Sequence, residues 1–202
     1  MKRILAFVLL ILSVAAQAQP SDKPTLLVAS PAMQGPYARA VLIAVPVGDE
    51  HLGFIVNRAT EVRLASLFPE HAASAKVVDP VYFGGFEMAD AVFAVVRRNP
   101  GGDAVQLVGD AFLVADASAV DRIIERTPND ARYFAGFVGW QPGELAKEIE
   151  AGYWHLADAD PALFWKDNRT LWQDLVQRLG NGHAPQRGRG FHSASLQNTL
   201  QN

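Results

Sequence analysis

Apolar residues in this chain fall mostly into short continuous or alternating runs, separated by clusters of Gly, Pro, Asn and Asp. That pattern predicts strands more often than helices. Residues 26–29 predict a short strand that ends at Ser30-Pro31, and Gln34-Gly35-Pro36 marks a turn. Residues 41–47 are rich in β-branched side chains and predict a second strand. Gly48-Asp49 supplies turn chemistry and residues 52–57 return as the partner, which predicts a hairpin. Residues 77–83 predict another strand, with Pro80 at its edge or start, and Gly84-Gly85 breaks it. Residues 91–96 and 104–108 predict a second hairpin across Asn99-Pro100-Gly101-Gly102. Residues 111–115 add a strand, and residues 134–138 another that breaks at Gly136.

Helical spacing appears only in short segments. Thr60 is placed to cap a helix with Leu64, Leu67 and Phe68 on one face, stopped by Pro69. Asp116 or Ser118 caps a helix in which Val120, Ile123 and Ile124 share a face, and Pro128 closes it. Gln141-Pro142-Gly143 turns into a helix over residues 144–151, with Pro142 suited to the first turn, Leu145 and Ile149 facing inward, and Gly152 ending it. Asp160-Pro161 starts a short helical turn. Thr170 opens a last helix with Trp172, Leu175 and Leu179 at helical spacing, Arg178 near its end and Gly180 as its stop. Hairpins interleaved with short helices argue for an α+β fold.

The densest block is residues 133–154, with four glycines, two tryptophans and a capped amphipathic helix. This block is similar to the signature of the AlgH/YqgE family. Four further blocks carry the resemblance in the same order: residues 26–31, residues 35–41, the segment Gly53-Phe54-Ile55-Val56-Asn57-Arg58, and residues 80–85 ending in Gly84-Gly85. The resemblance implies a forked, mainly antiparallel sheet with a small barrel-like portion, surrounded by short helices. It implies no settled activity, although some family members carry a transcriptional-regulator label. The chain departs from the family pattern at three points. Phe86 stands where Pro usually follows the Gly-Gly pair. The Glu-His pair after the second strand is shifted and shortened to Asp49-Glu50-His51. Val95-Val96-Arg97 replaces a Leu-His pair.

Composition bounds the address and the chemistry. Lys2 and Arg3 precede an apolar run over residues 4–16, and Ala16-Gln17-Ala18 follows with small residues at a cleavage position. This predicts a signal peptide over residues 1–18, cleaved after Ala18, and a periplasmic or secreted product with no stable membrane anchor. The run is 13 residues long, short of the ~20 a spanning helix needs. Residues 19–25 read as a lead-in, 26–180 as one domain, and the polar stretch 181–202 as a disordered tail. Losing Lys2 and Arg3 leaves 16 basic residues against 21 acidic ones. An acidic domain lacks the electrostatic footprint of a nucleic-acid binder, so no nucleic-acid partner is expected. There is no Cys, which excludes disulfides and thiol chemistry.

No catalytic set stands out. His51, His71, His155, His183 and His192 are scattered and none has a ligand at helical spacing, so no metal site and no cofactor are expected. Asp49-Glu50-His51 offers a carboxylate beside an imidazole, and Glu144 and Glu148 lie one helical turn apart. Both fit a hydrolase in principle, and both fit a solvated surface. Neither a nucleophile elbow nor a phosphate-binding glycine motif occurs. The candidate binding residues are Asn57, Arg58, Gly84, Gly85, Trp140 and Gln141. Arg58 at a strand end can clamp an anion or pair with a carboxylate. Gly84-Gly85 permits close approach of a ligand or of another backbone. Trp140 and Trp154 can floor a pocket or fill the core. The reading these features favour is a non-enzymatic binding module with a protein or small-molecule partner in the cell envelope.

Overall fold

The computed structural model describes residues 23–102 and 104–180. The predicted signal segment, the tail and two of the five histidines, His183 and His192, lie outside them.

Nine strands form one sheet in the order β6-β7-β5-β8-β3-β2-β1-β9, and β4 pairs with β8 off that path. In chain order they are β1 (Thr25–Ala29), β2 (Val41–Val47), β3 (Glu50–Ile55), β4 (Tyr82–Phe83), β5 (Glu87–Arg97), β6 (Val105–Val108), β7 (Ala111–Val114), β8 (Ala131–Trp140) and β9 (Trp154–Asp158). All pairs are antiparallel except β4 with β8. The helices are α1 (Leu64–Leu67), α2 (Ala117–Arg126), α3 (Glu144–Glu150) and α4 (Leu171–Gly180), joined by three short 3-10 turns. The result is an α+β fold whose sheet curls into a half-barrel.

The strands read as continuous apolar runs because both faces of the sheet are covered. In β1, Leu26 and Val28 point into a central cluster with Val95, Phe134 and Phe164. Leu27 and Ala29 point the other way, toward Leu145 and Ile149 of α3. In β5, Phe93 and Val95 join the central cluster, while Ala94 and Val96 meet Val120 and Ile124 of α2. The curled sheet therefore has one inner core and two outer ones. Trp172, Leu175, Val176 and Leu179 of α4 pack against the inner core, and the Trp172 indole donates to Ala29 O at 2.8 Å.

The fork lies at β8. One edge of this strand pairs with β5 along most of its length. The other edge pairs first with β4 at Phe134 and Ala135, then with β3 from Val138 to Trp140. Opposite Gly136 (φ 68°), the β5 register jumps from Glu87 to Val92, so four residues of β5 bulge outward. Gly84 closes the junction: its N–H donates to Ala135 O at 2.8 Å and its carbonyl accepts from Ile55 N at 2.9 Å.

Several elements match the sequence reading. The β2–β3 hairpin turns at Gly48-Asp49, with Val47 opposite Glu50 and Gly48 at φ 65°. Asp116 caps α2, its carboxylate accepting from Ala119 N at 2.9 Å and from Ser118 Oγ at 2.6 Å. These bonds hold the Asp116 carboxyl below its ordinary value of 3.8. A lowered carboxyl stabilises the fold fully above pH ~3.8 and loses that contribution as pH falls through the folded-state value. Asp116→Ala is thus expected to lower the urea midpoint at pH 7, and its gap from wild type is expected to narrow progressively below pH ~3.8.

Four expectations are corrected. Residues 91–96 and 104–108 are not partners, because β7 lies between β5 and β6. The true hairpin is β6–β7 across Gly109-Asp110. The physical reason is burial: β7 is largely buried, whereas Val105 and Gln106 of β6 are exposed, so β6 takes the edge. Of residues 77–83, only Tyr82–Phe83 form a strand; Val77 and Val81 instead plug the core beneath α2. Thr60 does not cap α1. Its hydroxyl donates to Val81 O at 2.6 Å and accepts from Val62 N, and α1 starts after Arg63, with Leu64 buried and Leu67 and Phe68 largely exposed. Pro142 precedes the α3 N-cap, Gly143, and so lies just outside the first turn.

Candidate functional site

Parts of the sequence blocks that carry the resemblance come together around α3 and the β1–β2 loop. Trp140 ends β8 and Trp154 starts β9, on either side of α3. Both rings are in the core, 3% and 4% exposed. Their indole N–H groups donate to the same atom, Glu148 Oε2, at 2.9 and 2.7 Å. Glu148 therefore faces inward from α3, and its carboxylate clamps the two strand ends that flank the helix. Glu144, one turn earlier, accepts from Gln141 N at 3.0 Å and closes the turn into α3. Gln141 is exposed.

The loop between β1 and β2 folds over this clamp. Tyr37 packs edge-on against Trp154, with centroids 6.3 Å apart, and against Phe86 at 5.5 Å. Phe86 also meets Phe83 edge-on at 4.9 Å yet remains half exposed. Asn57 and Arg58 pin the far side of the loop. Asn57 Oδ1 accepts from Val41 N at 2.9 Å and its Nδ2 donates to Arg39 O at 3.0 Å. Arg58 Nη2 donates to Ala38 O at 3.1 Å, and among the described residues it forms no ion pair. Arg39, the residue these bonds secure, has φ 61° and lies over the Trp172 ring.

Electrostatics concentrate on the Tyr37 hydroxyl. Burial raises its pKa above the ordinary 10.0, and the charges of Glu148, Glu87 and Glu144 raise it further, against the opposing charge of Arg58. Burial likewise lowers the pKa of the Arg58 guanidinium below its ordinary value, with Tyr37 opposing that shift. The surface is thus an aromatic patch, Tyr37 and Phe86, with the exposed carboxylates of Glu87 and Glu144 and the guanidinium of Arg58 near it and the inward-facing Glu148 beneath it.

Four of the six candidate binding residues surround this patch in distinct ways. Trp140 is a core residue whose polar edge meets Glu148. Asn57 and Arg58 brace the loop. Gln141 gives its backbone N–H to Glu144. Gly84 and Gly85 are buried in the fork. A Cβ on Gly84 would stand 2.2 Å from Gly136 O, and one on Gly85 would stand 2.0 Å from Phe137 O, so protein backbone already fills the space beside them. The hairpin tip places Asp49 and Glu50 in solvent, with His51 opposite Trp140 in the β3–β8 ladder. Sequence reasoning missed the roles of Tyr37 and Glu148. The only sequence signal was the position of Glu148 between two tryptophans.

Fold and site together define an α+β half-barrel with a glycine-lined fork and a carboxylate-clamped aromatic surface. The family profile described as AlgH-like (DUF179) matches residues 26–184, and the chain belongs to this family. A UPF0301 protein of Streptomyces avermitilis is 30% identical over 166 residues, covering 77% of this chain and 86% of the relative. A UPF0301 protein of Chlamydia trachomatis serovar A is 30% identical over 170 residues, covering 81% and 89%. Among solved structures, protein DIP2367 of Corynebacterium diphtheriae superposes with a TM-score of 0.62 at 26% identity, covering 81% of this chain and 90% of that one. The solution structure of the AlgH protein from Pseudomonas aeruginosa gives 0.67 at 23% identity, covering 86% and 99%, a likeness of fold. The family is one of uncharacterised proteins, so function has to be argued from the site.

Proposed function

We propose that this protein is a non-enzymatic binding module, exported to the periplasm, that takes a cationic segment of an envelope protein at the Tyr37–Phe86 surface. The observation that carries this reading is Phe86. It is a large apolar ring, 50% exposed, held edge-on by Tyr37 and Phe83 beside the carboxylates that bear on Tyr37. An exposed ring in a fixed orientation supplies contact area at little entropic cost, and surrounding carboxylates select a positively charged partner. The same carboxylates repel phosphate backbones, which argues against the transcriptional-regulator label. Glu148 is engaged by two indoles and Glu144 by a turn, so neither is arranged as a free general base for hydrolysis.

The test is site-specific photo-crosslinking in cells expressing the full chain. A photoreactive side chain at Phe86 is expected to trap a discrete partner, whereas one at Val105, equally exposed on the β6 edge, is not. Glu87→Lys is expected to abolish the Phe86 adduct. Equal adducts at both positions, or turnover of a co-purified metabolite, would overturn the reading. Export is tested in the same cells by fractionation and mass spectrometry of the N-terminus. A periplasmic product starting at Gln19 supports it. An uncleaved cytoplasmic product with salt-sensitive promoter binding would put the regulator reading first.

A further inference from the structure

We propose that His71, Asp121 and Glu125 form a binding site for one first-row divalent transition-metal ion. The three residues belong to two elements far apart in the chain. Asp121 and Glu125 lie one turn apart on α2, and His71 precedes the 3-10 turn Ala72–Lys76 that packs against that helix. His71 Nε2 stands 3.1 Å from Asp121 Oδ1, and one ligand atom from each residue lies within 4.8 Å of the others. In a tetrahedral shell with ligand bonds of about 2.0–2.2 Å, donor atoms stand ~3.3–3.6 Å apart, so side-chain adjustments of about 1.5 Å or less bring all three onto one ion.

The imidazole is carried on fixed backbone. His71 N–H donates to Phe68 O at 3.1 Å, and its carbonyl accepts from Ser74 Oγ at 2.7 Å. Ser74 is buried, and Ala73 packs into the same apolar cluster as Val120, Ile123 and Ile124 of α2. The loop and the helix therefore hold the three ligand side chains in register without the help of an ion.

Charge is what the cluster lacks. Two carboxylates of α2 meet at i, i+4 spacing, which is repulsive unless a cation intervenes. Among the described residues, Glu125 makes no hydrogen bond or ion pair, and the neighbouring Arg122 is turned to Ser118 Oγ. A protonated His71 supplies one positive charge for two negative ones, whereas a divalent ion balances both. One imidazole nitrogen with two carboxylate oxygens suits Zn2+, Mn2+ or Fe2+ and leaves positions open for water. Ca2+ and Mg2+ prefer all-oxygen shells. A bound ion would tie residues 71–76 to α2.

The experiment is calorimetric titration of the chelator-treated full mature chain with ZnCl2, in a His183→Asn/His192→Asn background that silences the two tail histidines. One equivalent is expected to bind, with a melting temperature that rises with free Zn2+. Glu125→Gln is the decisive variant, because Glu125 holds nothing else in place. It is expected to melt like its parent without metal and to weaken Zn2+ binding by about tenfold or more. His71→Asn is expected to weaken binding at least as much. Absence of saturable binding, unchanged Zn2+ affinity in Glu125→Gln, or Ca2+ binding as tight as Zn2+ would each overturn the proposal.

Discussion

Replacing Gly85 by alanine is expected to prevent folding or to cost about 4 kcal/mol or more, the range reserved for severe steric conflict. The added Cβ would lie 2.0 Å from Phe137 O, 2.1 Å from Phe137 C and 2.6 Å from Val138 N. None of these atoms can retreat. Phe137 is paired with Glu87 of β5 and Val138 with Gly53 of β3, so the contacted backbone is held from both sides. Gly84→Ala meets a comparable barrier, 2.2 Å from Gly136 O. Gly35→Ala is the control, since Gly35 has φ 80° but nothing within 4 Å of its would-be Cβ. It is expected to lose only the ~1–2 kcal/mol of a left-handed backbone. Urea unfolding of the three variants separates the two causes. A Gly85→Ala protein as stable as wild type would mean that the fork does not need glycine there, and would favour the reading of Gly84-Gly85 as an approach path for a ligand.

Glu148→Ala carries the next largest expected effect. It leaves the indole N–H groups of Trp140 and Trp154 without their shared acceptor, inside a site where both rings are almost fully buried. Each unpaired buried donor costs ~1–3 kcal/mol, so a loss of roughly 3 kcal/mol is expected in total. Bonds to an ionised acceptor are the stronger kind, which places the effect above that of an ordinary surface Glu. Glu148→Gln keeps an acceptor oxygen and is expected to lose less. Trp154→Phe is expected to be less harmful in the Glu148→Ala background than in wild type, because the donor it removes has no partner there. Denaturant unfolding followed by tryptophan fluorescence reads the four variants and wild type. An unchanged midpoint for Glu148→Ala would show that water replaces the carboxylate, and α3 would then be held by Leu145 and Ile149 alone.

Local chemistry was legible wherever one short segment determines the outcome. Gly48-Asp49 makes its hairpin because a two-residue turn needs little beyond its own backbone freedom. Asp116 caps α2 because the N–H it satisfies is three residues away. Leu145 and Ile149 face inward because they are four apart on a helix. Pairings that skip an element were not legible. The β5–β7 ladder depends on which of two short apolar strands is the better buried, and residues 104–108 look as strand-like as residues 111–114 in isolation. The Thr60 hydroxyl chose Val81 O over a helix N-terminus because residues 59–62 run beside residues 80–82, a long-range contact.

The candidate site divides in the same way. Asn57 and Arg58 stood out as polar residues after an apolar strand, yet their partners, Arg39 O and Ala38 O, are set by how the β1–β2 loop folds back. Glu148 looks like half of a solvated pair with Glu144 until two strands bring a tryptophan to each side of it. His71 is separated from Asp121 by 50 positions in the chain, and the packing of Ala73, Val77 and Val81 against α2 brings them together. The sequence by itself determined the α+β class, the Gly48-Asp49 turn, the Asp116 cap and the inward faces of α2 and α3, since each follows from backbone preference or periodicity within a few residues. Tertiary structure decided the strand order, the glycine fork, the shared acceptor of the two indoles and the His71 cluster. Each of these depends on which distant atoms come to lie within hydrogen-bonding or van der Waals reach, which local preference does not encode.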